Sequence, residues 1–311
     1  MKKSLLVQLP GEDEPTLVSY HSRSRQVVIV GADSEQGTAL ADAMADVGFQ
    51  VLGYGEATQP TAHLRLDDYR QTDYAVAPTV PDDCNLVLYC PDAARSPDRH
   101  LSVLDTLCRD LATTRTGINQ VHIALFTPAT ACQTSARIRE NAALQPHSHH
   151  DLLHAQAELL LHAWCFRSRT AILPNIFRHG ELYGLSSGHI AASLRCARTG
   201  HPLQLPGLGN QKRTLTHLDD FAAAVATLLK DDFIPSPINL PGDTLTVIDY
   251  LLPIADRFGV DLDLNPDCHS DDLPWGVGDC VLSAALFKTE APTFRLRHHF
   301  RSWLDSLPDT I

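Results

Sequence analysis

Apolar positions along the chain follow two alternating rhythms. Short β-branched runs recur at 26–31 (QVVIVG), 50–55 (QVLGYG), 84–90 (CNLVLYC), 119–127 (NQVHIALFT) and 169–177 (RTAILPNIF). Uninterrupted apolar runs of this length read as strands buried on both faces. Between them lie TALADAMADVG at 38–48, HLSVLDTLCRDLAT at 100–113 and HHDLLHAQAELLLHAWCF at 149–166, whose apolar residues recur at helical spacing. Strands alternating with helices of ten or more residues predict an α/β fold with a doubly wound parallel sheet. After about residue 180 the pattern turns to Gly- and Pro-rich loops. Helices are predicted at HIAASLRCAR, DDFAAAVATLLK and VIDYLLPIADRFG, with a last amphipathic helix in RLRHHFRSWLDSL. Residues 1–25 read as two short strands (SLLVQL, TLVSY), an acidic turn between them and a linker. The predicted organisation is an N-terminal extension over 1–25, a doubly wound domain over 26–175, and a small C-terminal α/β cap over 176–311 interleaved with the last sheet strands.

Composition narrows the chemistry. The 311 residues carry 25 Lys+Arg against 37 Asp+Glu, a net charge of −12. That balance argues against nucleic acid as a partner, because a phosphate backbone needs a basic face. It leaves room for a small anionic ligand held by a helix N-terminus and one or two arginines. No apolar run approaches the roughly 20 residues of a membrane span, and the N-terminal MKKSLLVQLPGEDEP does not read as a signal peptide. Eight cysteines show neither C-x-x-C pairs nor zinc spacing, which predicts reduced, mostly buried thiols and a cytoplasmic location. Sixteen histidines are many.

The first strand runs into VVIVGADSEQGTALADAM. Gly31 and Gly37 bracket the strand-to-helix turn, with Ser34 where a central glycine would complete a dinucleotide-binding fingerprint. This turn resembles that of the extended short-chain dehydrogenase/reductases, the group with the nucleotide-sugar epimerases and dehydratases. Further segments carry the resemblance from residue 26 onward. LRLDD at 64–68 is similar to the segment after the third strand, which implies that Asp67 contacts adenine. YCPDAA at 89–94 is similar to the end of the fourth strand, with Ala93 at a cofactor position. ILPNIF at 172–177 is similar to the proline-containing segment after the sixth strand, with Pro174 near the cofactor. QKRTLTHLDDFAAAV at 211–225 resembles an R-x-x-x-x-x-D-D segment in which Arg213 matches a substrate-phosphate ligand. The resemblance implies a Rossmann domain, a cofactor that is NAD or NADP, an anionic small-molecule substrate and a homodimer.

At the positions that carry the family's chemistry, this chain departs. Thr127 falls at the Ser/Thr position of the fifth strand. The following helix keeps Pro146 and Glu158 of the P-x-x-x-Y-x-x-x-K-x-x-x-E pattern but has His150 for Tyr and His154 for Lys. Four readings stay open: lost hydride chemistry in a binding, sensing or assembly protein; His150 as a replaced acid/base, suited by an ordinary pKa near 6.5; chelation of a metal by His at i, i+4 with His147, His149 or Asp151 nearby; or a solvated His-rich helix start. No metal is expected. Gly55 stands where the family keeps the ribose-binding Asp, and Glu56 beside it is the candidate substitute. Arg178 replaces a glycine and is a second candidate for holding an anionic substrate. No G-x-S-x-G elbow and no G-x-x-x-x-G-K-[ST] loop is present.

Overall fold

The computed structural model describes residues 2–7, 16–21, 25–58, 65–74, 77–90, 97–115, 120–168, 171–230, 236–265 and 278–308. Strands β1 (Lys2–Val7) and β2 (Thr16–His21) form an antiparallel two-stranded sheet. The main alternation then begins with β3 (Gln26–Val30), helix α1 (Glu35–Asp46), β4 (Gln50–Gly55), β5 (Asp68–Gln71), β6 (Leu86–Tyr89), α2 (Pro97–Thr114) and β7 (Val121–Pro128). It continues through β8 (Ser135–Ile138), α3 (His149–Arg167) and β9 (Ile172–His179). The last part runs β10 (Glu181–Tyr183), α4 (His189–Arg198), β11 (Leu203–Pro206), β12 (Lys212–His217), α5 (Leu218–Leu229), β13 (Ile238–Asn239), β14 (Asp243–Thr246), α6 (Val247–Phe258), β15 (Leu262–Asn265), β16 (Cys280–Leu282), α7 (Ala285–Glu290) and α8 (Phe300–Ser306).

Seven parallel strands make the large sheet, in the order β13-β9-β7-β6-β3-β4-β5. The chain starts in the middle and winds outward in both directions, so the order reverses between β3 and β6. At such a switch point the strand ends splay and leave a crevice at their C-terminal edge. The period-2 alternation of strands decides which residues serve which face. Val27 and Ile29 of β3 pack with Leu40, Met44, Phe221 and Val225 on the α1/α5 side, while Val28 and Val30 pack with Leu104, Leu107, Leu161 and Trp164 on the α2/α3 side. Both faces are covered, which is why these strands read as unbroken apolar runs.

The third strand of the large sheet in chain order, β5, has the sequence DYRQ and is mostly exposed. It is an edge strand paired only with β4, so it carries no apolar run for sequence reading to detect. LRLDD therefore precedes the third strand instead of following it. ILPNIF lies inside the sixth strand, β9, with Pro174 as its third residue, in register with Ile123. The missing N–H of Pro174 costs no ladder bond on the outer side, because β13 pairs only with Phe177 and Arg178.

The second sheet runs β10-β12-β16-β8, with β14 antiparallel to β12, and β11 pairs with β15. Its core gathers Tyr183, Leu194, Leu215, Tyr250, Ile254 and Phe300. The segment between β7 and α3 leaves the large sheet to add β8 to this one.

Candidate active site

The turn after β3 is built by two glycines with different tasks. Gly31 has φ +87°, the region that favours glycine. A Cβ on Gly37 would lie 2.0 Å from the Gly31 carbonyl oxygen, so only glycine lets α1 approach the strand this closely. Ser34 caps α1: its Oγ accepts from Gly37 N–H at 2.9 Å and donates to the Gly31 carbonyl at 2.7 Å. Among the described residues, the N–H groups of Glu35 and Gln36 have no acceptor, and they lie in the positive first turn of a 12-residue helix. The Glu35 carboxylate reaches away from the turn to the Ser186 N–H at 2.7 Å.

Behind the turn, Gln36, Tyr89, Cys90, His100, Leu125, Phe126, Thr127, His154 and Ala157 line a cavity of about 20 Å³, room for one water. Thr127 and His154, two of the residues singled out in the sequence, thus share a wall. His150, the third, is exposed one helical turn earlier and places its Nε2 3.4 Å from Nε2 of His154. His154 packs on His100 with ring centroids 5.6 Å apart.

His154 is half-buried. Burial, followed by the neighbouring His150, His100 and His179, holds its imidazole well below the ordinary range. It is therefore neutral at pH 7 and supplies no fixed positive charge. His100, 5% exposed and with neither ring nitrogen hydrogen-bonded among the described residues, is pushed down to about 4 by burial and then by His150. His179 is also pushed down to about 4, chiefly by burial, and shares its Nδ1–H with the Gly180 carbonyl at 2.7 Å.

Thr127 donates through Oγ1 to Glu158 Oε2 at 3.2 Å. The other Glu158 oxygen accepts from Arg178 Nη2 at 2.6 Å, and Arg178 Nη1 donates to the carbonyls of Glu140 and Ala142. Arg178 is 3% exposed, so its guanidinium faces an internal carboxylate and not an open ligand surface. Arg213 is buried in the second sheet, where it donates to the carbonyls of Lys212 and Gly278. Asp67 lies at the N-terminal edge of the large sheet: its Oδ2 accepts from Val51 N–H at the start of β4, at 2.7 Å. This is the end opposite the crevice. Pro174 lies part-way down β9, and Ala93 falls outside the described residues. Glu56 stands at the C-terminal edge, where Glu56, Gln71, Thr72, Asp73 and Arg99 line a pocket of about 570 Å³.

Asp151 is not available as a ligand. It is buried at the cap of α3, accepting from Thr130 Oγ1 at 2.5 Å and Ser148 Oγ at 2.8 Å. Among the described residues, one trio of potential ligands lies close together, His217, Asp219 and His298. The two imidazoles there are stacked at 4.0 Å and 24°, so their in-plane lone pairs run side by side instead of converging. Cys132 is buried and pushed up to about 11, chiefly by burial, which leaves it a poor nucleophile.

A scan for protein families matches residues 27–240 to the NAD dependent epimerase/dehydratase family. The chain belongs to that family. No curated protein matches the sequence. Among solved structures, UDP-glucuronic acid 4-epimerase from Bacillus cereus, in complex with UDP-glucuronic acid and NAD, superposes with a TM-score of 0.71 at 14% identity, over 90% of this chain and 97% of that one. MoeE5 in complex with UDP-glucuronic acid and NAD gives 0.70 at 16%, over 90% and 97%. The dTDP-glucose 4,6-dehydratase DesIV from Streptomyces venezuelae, with NAD and TYD bound, gives 0.70 at 15%, over 89% and 94%. At these identities the likeness is one of fold.

For a member of the epimerase/dehydratase family, the turn suits the group that the family name implies. The N–H groups of Glu35 and Gln36 at the start of α1 can take a pyrophosphate, and Gly37 lets that helix N-terminus come close to the end of β3. Sequence reading missed His100, Gln36, Asp33, Asp73 and Tyr74. His100 had a signal: it is the polar member of the buried stripe 100, 103, 104, 107, 108 and 111 on α2. Tyr74 had none, since its role depends on a φ of +58° that carries its hydroxyl to the Gly31 N–H at 3.0 Å.

Proposed function

We propose that this protein binds a nicotinamide dinucleotide, NAD or NADP, along the turn after β3 and carries out a hydride-transfer reaction on a sugar nucleotide or a similar alcohol or carbonyl compound, as an oxidoreductase or epimerase. The observation that carries the reading is the gathering of Thr127, His154 and Gln36 of the cofactor turn on one cavity, with His150 at its exposed side. The dinucleotide, when bound, supplies the hydride acceptor or donor. His150 is the acid/base. Its Nε2 lies 3.4 Å from Nε2 of His154, so in that hydrogen bond one ring donates and the other accepts, and His154 orients the imidazole of His150. Thr127 already donates its proton to Glu158, so toward substrate its oxygen acts as an acceptor and holds an alcohol better than a carbonyl. The free, mostly buried thiols suit a reducing compartment such as the cytoplasm.

A second reading is favoured by one observation: the histidine at the Lys position is neutral. A binding or assembly protein that has lost hydride chemistry would tolerate that. The two readings separate by experiment. NAD⁺ is titrated calorimetrically, then UDP-glucuronic acid, UDP-glucose and dTDP-glucose are offered and turnover is followed by chromatography of the sugar-nucleotide products together with the near-ultraviolet absorbance of reduced nicotinamide, because an epimerase returns the hydride and leaves no net reduced cofactor. The catalytic reading expects binding and turnover that His150→Ala abolishes. Binding without turnover of any of the three supports the second reading, and unchanged turnover in His150→Ala removes the role given to that residue.

A further inference from the structure

The second strand of the large sheet ends at Gly55, where dinucleotide-binding sheets carry the carboxylate for the adenosine ribose. A Cβ on Gly55 would lie 2.4 Å from Oδ1 and 2.5 Å from Cγ of Asp33. The carboxyl group of Asp33 therefore occupies the volume that a side chain at 55 would fill. Glycine at 55 and aspartate at 33 form one arrangement, in which the carboxylate arrives from the glycine turn instead of the strand end. It is fixed there. Oδ2 accepts from the N–H groups of Glu56 at 3.0 Å and Ala57 at 2.9 Å, which leaves Oδ1 over the strand end. The negative charge is felt by two neighbouring phenols: Tyr69 is pushed up to about 12 and Tyr74 is also pushed up, in both cases by burial first and by Asp33 second.

Adjoining Glu56 is the pocket of about 570 Å³ at the ends of β4 and β5. Among the described residues lining it, the one cation is Arg99, whose guanidinium lies 3.6 Å from Glu56 and donates to the Asp73 carbonyl. Among the described residues, the carboxylates of Asp33 and Glu56 thus stand together at this strand end, and Arg99 is paired with Glu56. Such a field disfavours an additional phosphate, while a carboxylate oxygen accepts well from ribose hydroxyls.

We infer that Asp33 is the residue that takes the adenosine ribose and makes this protein select NAD over NADP, an inference that rests on the dinucleotide reading above. Calorimetric titration of NAD⁺ and NADP⁺ into the full chain, wild type and Asp33→Asn, tests it. Asparagine keeps an oxygen for the Glu56 and Ala57 N–H groups and removes the charge. The wild type is expected to bind NAD⁺ at least about tenfold tighter than NADP⁺, and Asp33→Asn to shrink that ratio at least about fivefold, mainly by admitting NADP⁺. Should Asp33→Asn fail to fold, Asp33→Ser/Gly55→Asp takes its place; it returns the carboxylate to the strand end and must keep the NAD preference. Equal affinities in the wild type, or a ratio unchanged by Asp33→Asn, overturn the inference alone. Binding of neither dinucleotide overturns the underlying reading and this inference with it.

Discussion

Arg178 and Glu158 form an ion pair inside the protein, Nη2 to Oε1 at 2.6 Å, with each side chain 4% exposed. The resemblance drawn from the sequence places a glycine at 178. Here the added guanidinium finds the carboxylate four residues beyond His154 and ties β9 to α3 beneath the candidate active site. Breaking such a pair from one side leaves a buried charge without a partner, which costs more than the pair is worth. Arg178→Met is expected to lower stability by about 3–5 kcal/mol. Arg178→Met/Glu158→Leu, which removes both charges, is expected to recover most of that loss. Urea unfolding of the three proteins measures it, and a double variant as weak as the single one contradicts the account.

His100, His154 and His179 are held neutral by burial first and then by the neighbouring His150, and His154 also by His100 and His179. In the unfolded chain each takes a proton near about pH 6.5. Above that pH neither state is protonated and the full stability is present. As pH falls through about 6.5, the unfolded chain binds protons that the folded cluster refuses, so stability is lost. The loss continues toward about 4, where the folded rings of His100 and His179 begin to charge. Each refusing ring adds a slope of about 1.4 kcal/mol per pH unit inside that window. His100→Phe removes one of them and is expected to flatten the fall in stability between about pH 6 and pH 5. Equal slopes in variant and wild type contradict the expectation.

Gly37 sits where a methyl group has no room, 2.0 Å from the Gly31 carbonyl oxygen. Relief requires α1 to move off β3, so Gly37→Ala is expected to cost at least about 1–3 kcal/mol and to weaken dinucleotide binding through the displaced helix N-terminus. Gly188 is the control. It has φ +87° but nothing within 4 Å of an added Cβ, so Gly188→Ala costs backbone strain and leaves binding intact. Thermal melts and calorimetry of both variants separate the two effects.

What the sequence disclosed follows from burial. Strands covered on both faces, such as β3 and β7, announce themselves as apolar runs, and the helices between them by their spacing. Edge strand β5 is exposed and polar, so it was invisible, and Asp67 was consequently assigned to the wrong end of the sheet. The turn was legible because Gly31 and Gly37 answer local backbone demands. Asp33 was not, because its meaning depends on the empty Cβ position of Gly55, distant in sequence and adjacent in space. Arg178 looked like a ligand-binding cation for a related reason: an arginine in a chain of net charge −12 stands out, while its carboxylate partner becomes visible only when α3 packs on β9.

Thr127 gives the last prediction. The residue is 1% exposed and its hydroxyl donates to Glu158, whose second oxygen already serves Arg178. Thr127→Val keeps the shape and removes the donor, leaving one carboxylate oxygen buried and unsatisfied at a cost of about 1–3 kcal/mol. Thr127→Ser keeps the donor and is expected to retain both stability and any turnover. The same hydrogen bond fixes the direction in which Thr127 can act on a substrate, since an oxygen whose proton is already given can only accept. An alcohol substrate is therefore expected to lose affinity in Thr127→Val by more than its carbonyl counterpart does. Competition binding of the two against the folded variant measures this, and equal losses would show that Thr127 only supports Glu158.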